Sequence, residues 1–337
     1  MIIQLKKNIT SSELASIKTD LKEKSIKTNF VETQKNKYLV CFAKAEFDIR
    51  SFGNLPGVQD VHAVSDDYKL VSKKWKLNNS TIEICDDVIY TKEPIVIAGP
   101  CSVESEEQME KIVDHLVKNN IKIMRGGVFK PRSSPYAFRG LGMEGLKLMH
   151  ALCKPHDIKI VTEVMQVSQL EEMLPFVDVF QVGARNSQNF NLLDALGSVN
   201  KPVLLKRGIS GTIDELLQSA EYIFSKGNEK IMLCERGIRT YENSYRNTFD
   251  INAIPVLKEK SHLPVIADPS HGVGIRDHVS KLALASLVAG ADGVIYEVHP
   301  SPEEALSDGQ QTLNFMESEA LLAKIKQLSQ SGILNYL

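Results

Sequence analysis

The chain has 337 residues, with 40 basic against 42 acidic side chains and a formal net charge of −2, so no bulk field is available to hold nucleic acid or an anionic membrane. Hydrophobic residues make up 43% and charged residues 24%, a globular composition that excludes disorder, collagen and coiled coil and, at about 150 residues per domain, suggests two domains. No apolar run approaches the roughly 18 residues of a membrane span and the stretch at Met1–Leu5 is too short for a signal peptide, so a soluble, cytoplasmic protein with no membrane or nucleic-acid partner is expected. The cysteines (Cys41, Cys85, Cys101, Cys153, Cys234) are odd in number, scattered and without a CxxC pair, which argues against a disulfide framework or a zinc knuckle.

The first part of the chain alternates between strand and helix periods: Ile2–Lys6 extended, Ser11–Lys24 helical, Ile26–Glu32 and Lys37–Ala43 extended, Glu46–Gly53 helical, Gly57–Val64 extended. Ser11 or Ser12 is placed to cap the first helix, ahead of Leu14, Ile17 and Leu21 at helical spacing. The order β-α-β-β-α-β predicts a small ferredoxin-like domain over residues 1–66. Residues 67–93 carry Lys69, Lys73, Lys74 and Lys76, followed by Thr81–Ile84 and Val88–Tyr90 on either side of Asp86-Asp87, and predict a linker, a short hairpin and a lid.

From residue 94 the rhythm changes to short, nearly continuous apolar runs, as expected for strands buried on both faces of a parallel sheet. They are Ile95–Ala98, Ile121–Met124, Ile158–Val161, Val177–Val182, Val203–Leu205, Ile231–Cys234, Val265–Ala267 and Val294–Val298. Amphipathic segments such as Glu106–Lys118, Ile213–Phe224, Val279–Val288 and Glu317–Gln327 supply helices. Eight strand–helix units over residues 94–337 predict an α/β protein with a (β/α)8 TIM barrel, and no Gly-rich strand-to-helix fingerprint supports a doubly wound open sheet.

Each run is followed by a chemically able residue: Cys101, Arg125, Glu163, Arg185, Lys206, Arg236, then Asp268 with His271 and Glu297 with His299. Any one of these reads equally as a polar loop residue, but in a barrel all eight strand ends converge on one bowl. Arg125, Lys130, Arg132, Arg185, Lys206 and Arg236 form a cationic group that calls for a ligand with several negative charges, as in small phosphorylated metabolites. Cys101, His271 and Glu297 bring S, N and O donors from distant points of the chain, the mixture expected of a catalytic divalent ion. Asp308-Gly309 by itself reads as a turn.

At Gly99-Pro100-Cys101-Ser102, Arg125-Gly126-Gly127, Lys130-Pro131-Arg132-Ser133-Ser134-Pro135, Val182-Gly183-Ala184-Arg185-Asn186, Leu205-Lys206-Arg207-Gly208, Cys234-Glu235-Arg236-Gly237, Asp268-Pro269-Ser270-His271 and Glu297-Val298-His299-Pro300 the sequence resembles the 3-deoxy-D-arabino-heptulosonate 7-phosphate synthase family. The motifs occur in the family's order, and the leader is similar to that of the subgroup with an N-terminal ferredoxin-like regulatory domain. The resemblance implies an enzyme that condenses phosphoenolpyruvate with erythrose 4-phosphate and water and releases phosphate, the first step of the shikimate pathway. It implies that Arg125, Lys130, Arg185, Lys206 and Arg236 hold phosphoenolpyruvate, with Ala184 offering a backbone N–H and Glu163 positioning the group. Arg132 and Ser133 would take the aldose phosphate, Ser133 standing where the family usually has Thr. Asp308 joins Cys101, His271 and Glu297 on the family's ligand positions for one divalent metal ion, manganese first, with iron, cobalt and zinc as alternatives. Lys130 and Glu163 are candidates for proton handling, with Asp268 and His299 as supports.

Two other activities fit parts of this pattern. An 8-phosphate octulosonate synthase would use arabinose 5-phosphate, but it normally has an Asn-containing motif after the corresponding Lys and lacks the stretch found here at 183–189. A Schiff-base aldolase could use Lys206, but would not need the Cys/His/Glu/Asp set. For the leader, the resemblance implies feedback by tyrosine or phenylalanine through an arrangement that closes the barrel mouths, in a homotetramer.

Overall fold

The computed structural model describes residues 1–336 except 44–47, 85–86, 90–92 and 132–133, so Cys85, Arg132 and Ser133 lie outside the described residues. The leader opens with β1 (Ile2–Leu5), α1 (Ser11–Glu23), β2 (Lys27–Glu32), β3 (Lys37–Phe42), α2 (Arg50–Gly53) and β4 (Val58–His62). Its strands form an antiparallel sheet in the order β2-β3-β1-β4. The first helix is capped by Thr10, one residue earlier than expected: Thr10 accepts from the Glu13 N–H while the Glu13 carboxylate accepts from the Thr10 N–H, a reciprocal pair that neither Ser11 nor Ser12 could form with a partner at that spacing.

Alternation along the strands gives this sheet two apolar faces. Ile3, Leu5, Leu39 and Cys41 pack with Ile17 and Leu21 of α1 and Phe52 of α2. Ile2, Val31, Tyr38 and Val40 point the other way and merge, through Tyr68, Leu70, Val71 and Trp75, with the core that surrounds the barrel.

The second unit is a closed parallel barrel of β7 (Ile95–Gly99), β8 (Ile123–Arg125), β9 (Lys159–Glu163), β10 (Val179–Val182), β11 (Val203–Lys206), β12 (Ile231–Glu235), β13 (Val265–Ala267) and β14 (Gly293–Glu297), with β14 pairing back onto β7. Around it run α3 (Glu106–Lys118), α4 (Gly142–Cys153), α5 (Leu170–Met173), α6 (Phe190–Gly197), α7 (Ile213–Ser225), α8 (Ala253–Lys260), α9 (Pro269–Val273), α10 (Arg276–Val288) and α11 (Phe315–Gln330). The interior is a packed cluster of Ile95, Ile97, Ile123, Val161, Val179, Leu204, Met232, Cys234, Ile266 and Ile295. Side chains alternate in a strand, so the next inward position lies two residues on: Ile123 leads to Arg125, Val161 to Glu163, Val179 to Gln181, Leu204 to Lys206, Cys234 to Arg236, Ile266 to Asp268 and Ile295 to Glu297. The polar set at the mouth is thus the top layer of the same stack that forms the barrel core.

The hairpin of β5 (Ile82–Ile84) and β6 (Asp87–Ile89) is antiparallel as expected, but it is not a lid over the mouth. Ile82 and Ile84 join the interior cluster, including Ile95 and Ile123 at the starts of their strands, and so plug the opposite end. The linker before it is pinned by its backbone polar groups. The Glu221 carboxylate accepts from the N–H groups of Leu70 and Val71 at 2.9 and 3.0 Å, and the Leu70 carbonyl accepts from the Trp75 indole at 2.8 Å. His262, fully buried, sits with Nε2 2.8 Å from the same carbonyl and Nδ1 2.8 Å from the Ser80 hydroxyl.

Burial, assisted by the nearby Lys76, pushes the His262 imidazole down to about 3. Above the ordinary value of about 6.5 both folded and unfolded chains hold a neutral ring, whereas below it only the unfolded chain binds a proton. Unfolding free energy should therefore fall by up to about 1.4 kcal/mol per pH unit from this residue as pH drops below about 6. Urea denaturation at stepped pH reads the slope, and His262→Gln should flatten it by one proton; an unchanged slope would count against the assignment.

Candidate active site

The strand ends converge on a cleft, open to solvent, at the C-terminal face of the barrel. Its lining includes Arg125, Lys130, Lys206 and Arg236, with Glu163, Gln181, Gly183, Ala184 and Arg185 on one side and His271, Asp308 and Arg246 on the other. Arg125, Lys206 and Arg236 are buried and Arg185 is exposed at the rim. Sequence reasoning passed over Gln181, which lies within a hydrophobic run; the inward alternation from Val179 finds it. A Cβ at Gly183 would meet the Glu163 carboxylate, so a side chain there would displace that group.

The floor is an alternating chain of charge. Lys206 Nζ lies 2.5 Å from Asp268 Oδ2, and His271 Nδ1 is 2.8 Å from the same oxygen. His271 Nε2 is 3.4 Å from Glu297 Oε1, to which Arg125 also donates at 2.8 Å. Burial alone would raise the Asp268 and Glu297 carboxyls; His271 with Lys206 at the first, and His271 with Arg125 at the second, hold them below the usual carboxylate range. Burial lowers the His271 imidazole against the pull of Asp268. Arg236 is lowered by burial too, and its Nη1 has no hydrogen-bond partner among the described residues. A buried guanidinium with an open donor is a strong anion receptor. Glu163 Oε1 is likewise buried without a partner among the described residues, while Oε2 receives the Gln181 amide at 3.4 Å.

Cys101, Glu297 and Asp308 form a second group, their ligand atoms all within 4.8 Å of one another. His271 falls outside this triangle but reaches Glu297 Oε1 as described, so the four residues expected to bind metal surround one corner of the cleft. Buried Cys101 and Glu297 and the half-buried Asp308, with an adjacent imidazole, fit a divalent ion, and the set is too rich in carboxylate for structural zinc. Lys130 Nζ contacts the Cys101 carbonyl at 3.0 Å and its Sγ at 3.1 Å, which places the cation between the metal corner and the anion pocket. Burial, reinforced by Glu297, pushes the Cys101 thiol up to about 11, so an arriving ion would have to displace its proton. Asp308 is held well below its ordinary value: burial opposes this, and Arg246 and His271 overcome it.

His299 does not line the cleft. Its Nδ1 accepts from the Ser301 N–H at 3.0 Å and its Nε2 lies 3.6 Å from Glu104, whose other oxygen accepts from the Leu306 N–H at 3.1 Å. It braces the loop that carries Asp308. Lys206 is committed to a buried ion pair with Asp268, whereas a Schiff-base lysine must present a free amine. Among the described residues, no helix is long and apolar enough to cross a membrane.

Comparison with known proteins identifies the family. The model of the DAHP synthetase I family matches residues 76–332. The phospho-2-dehydro-3-deoxyheptonate aldolase of Thermotoga maritima is 41% identical over 98% of both chains. A crystal structure of that organism's DAHP synthase superposes with a TM-score of 0.78 at 40% identity, covering 98% of each chain, and its truncated form with 0.74 at 43%, covering 79% of this chain and 98% of that one. A 2-dehydro-3-deoxyphosphooctonate aldolase of Coxiella burnetii is more distant, 33% identical over 73% of this chain and 94% of its own. With a family match over most of its length and a relative so similar from end to end, this chain belongs to the DAHP synthetase I family and is an enzyme of the transferase type.

Proposed function

We propose that the enzyme condenses phosphoenolpyruvate with erythrose 4-phosphate, in the presence of a divalent metal ion, to give 3-deoxy-D-arabino-heptulosonate 7-phosphate and phosphate. The observation that carries this reading is the buried, open-handed Arg236 beside Lys206, Arg125 and Lys130, facing a metal-type donor set across the same cleft. Arg185 and Arg236 take the enol phosphate, Lys206 and Arg125 the carboxylate end, and the Ala184 N–H adds a neutral donor. Arg132 and Ser133 receive the aldose phosphate, although they lie outside the described residues. Cys101, His271, Glu297 and Asp308 would hold the ion, which would supply Lewis acidity toward an aldehyde oxygen.

In this scheme C3 of the enol phosphate forms the new bond to the aldehyde carbon, and C2 takes up positive character that water captures before phosphate leaves. Lys130, between Cys101 and the anion pocket, delivers a proton to the developing alkoxide. Glu163, with its unpartnered oxygen, orients the water and accepts its proton. Asp268 acts through others, fixing Lys206 and the His271 ring, and His299 supports the metal-side loop. The Coxiella relative makes arabinose 5-phosphate the competing acceptor to exclude.

For the leader, residues 1–66, we propose a regulatory role with tyrosine or phenylalanine as effector in a homotetramer. In this structure the leader sits beside α7 and the turn into β12, where Tyr38 packs on Phe224 at 6.2 Å and Thr33 donates to Glu229 at 3.3 Å. That flank is near the plugged end of its own barrel, so a leader that covers a mouth belongs to another subunit.

Following phosphoenolpyruvate absorbance with each acceptor and with Mn²⁺ or EDTA tests the reaction: loss with erythrose 4-phosphate, stopped by chelator and restored by metal, is expected. Preference for arabinose 5-phosphate or indifference to chelator would overturn the corresponding part. Arg236→Met should lower kcat/KM for phosphoenolpyruvate about 10- to 100-fold, the worth of a charged hydrogen bond or two, without lowering the melting temperature of the ligand-free protein. A chain starting at residue 67 should keep activity, melt earlier because Tyr68, Leu70 and Trp75 lose their cover, and no longer respond to tyrosine or phenylalanine; retained inhibition would refute the leader as effector site.

A further inference from the structure

Glu297 contributes to the metal corner from the end of β14, and both of its oxygens are engaged: Oε1 by Arg125 and His271, Oε2 by the amide nitrogen of Gln311 at 2.7 Å. Gln311 is completely buried. Its other end, Oε1, accepts from Arg246 Nη1 at 2.6 Å, and the same nitrogen lies 3.4 Å from Asp308 Oδ2. The amide therefore links one carboxylate of the metal corner to a cation that also holds the second. The backbone accounts for the arrangement. Asp308 takes a left-handed conformation, φ 53°, and starts the short turn Gly309–Gln311, in which the Gln311 N–H donates to the Asp308 carbonyl at 3.2 Å. One turn of this kind brings positions 308 and 311 to the same side, so Asp308 and Gln311 reach the site as a unit.

A buried amide is costly unless both its ends are paired, and here both are paired to groups at the site. A carboxylate that has lost its orienting donor can rotate, and its affinity for an ion falls with the lost preorganisation. We infer that Gln311 is a positioning residue for the metal: it fixes the Glu297 carboxylate and, through Arg246, keeps Asp308 in step with it. This rests on the metal reading of Cys101, His271, Glu297 and Asp308 given above. It assigns Gln311 no contact with substrate.

The test is metal affinity, measured on the full chain by competition of Co²⁺ with a chelator, together with the visible and near-ultraviolet bands of the cobalt-loaded protein. Gln311→Met keeps length and removes both polar ends; it should weaken Co²⁺ binding about 10- to 100-fold, the range for loss of an outer-sphere partner, and shift the cobalt bands. Arg246→Met, altering a side chain that is 30% exposed, should weaken binding in the same direction and serves if Gln311→Met does not fold. Unchanged affinity and spectrum in either folded variant would overturn the inference while leaving the metal site intact. Failure of the unsubstituted protein to bind Co²⁺ would overturn the metal reading itself, and this inference with it.

Discussion

The bowl depends on charges that have been taken out of water and made to compensate one another. Lys206, Asp268, His271, Glu297 and Arg125 follow in a line across its floor, cation beside anion with the His271 imidazole between the two carboxylates. Such a buried chain is a poor source of stability, because desolvation offsets most of the attraction, but removing one member leaves its neighbour uncompensated. Its value lies in fixed dipoles and charges that need not reorganise when a reacting molecule arrives. Arg236 Nη1 and Glu163 Oε1, beside this chain, are buried without a hydrogen-bond partner among the described residues.

A parallel barrel is well suited to this. Alternation in each strand turns a hydrophobic core layer into a polar layer two residues later, so the strands that pack the interior also aim the chemistry. Arg125, Glu163, Lys206 and Glu297 are carried on the strands themselves, whereas Arg185 and Arg246 come from the loops at the rim.

Much of this was legible in the sequence for the same reason. Continuous apolar runs such as Val203–Leu205 and Ile231–Cys234 mark strands buried on both faces, and the strands extend one residue further in the structure because the next residue, Lys206 or Glu235, still pairs within or beside the sheet. What stayed hidden depends on long-range contacts. Gln181 is disguised by the run Val177–Val182, the pairing of Gln311 with Glu297 and of Arg246 with Gln311 spans distant segments, and no local pattern says which end of the barrel a hairpin will close. Thr10 was missed for a local reason, since adjacent serines compete for the cap and only the reciprocal partner at Glu13 decides.

The hairpin has one more effect. Ile82 and Ile84 pack into the far end of the barrel, and among the described residues a hydrophobic cluster lies behind the floor of the bowl. Arg125 and Lys206 lie on the side of that cluster that faces the rim. The depth of the bowl is thus set by side chains stacked beneath it, and its floor is the roof of the barrel core.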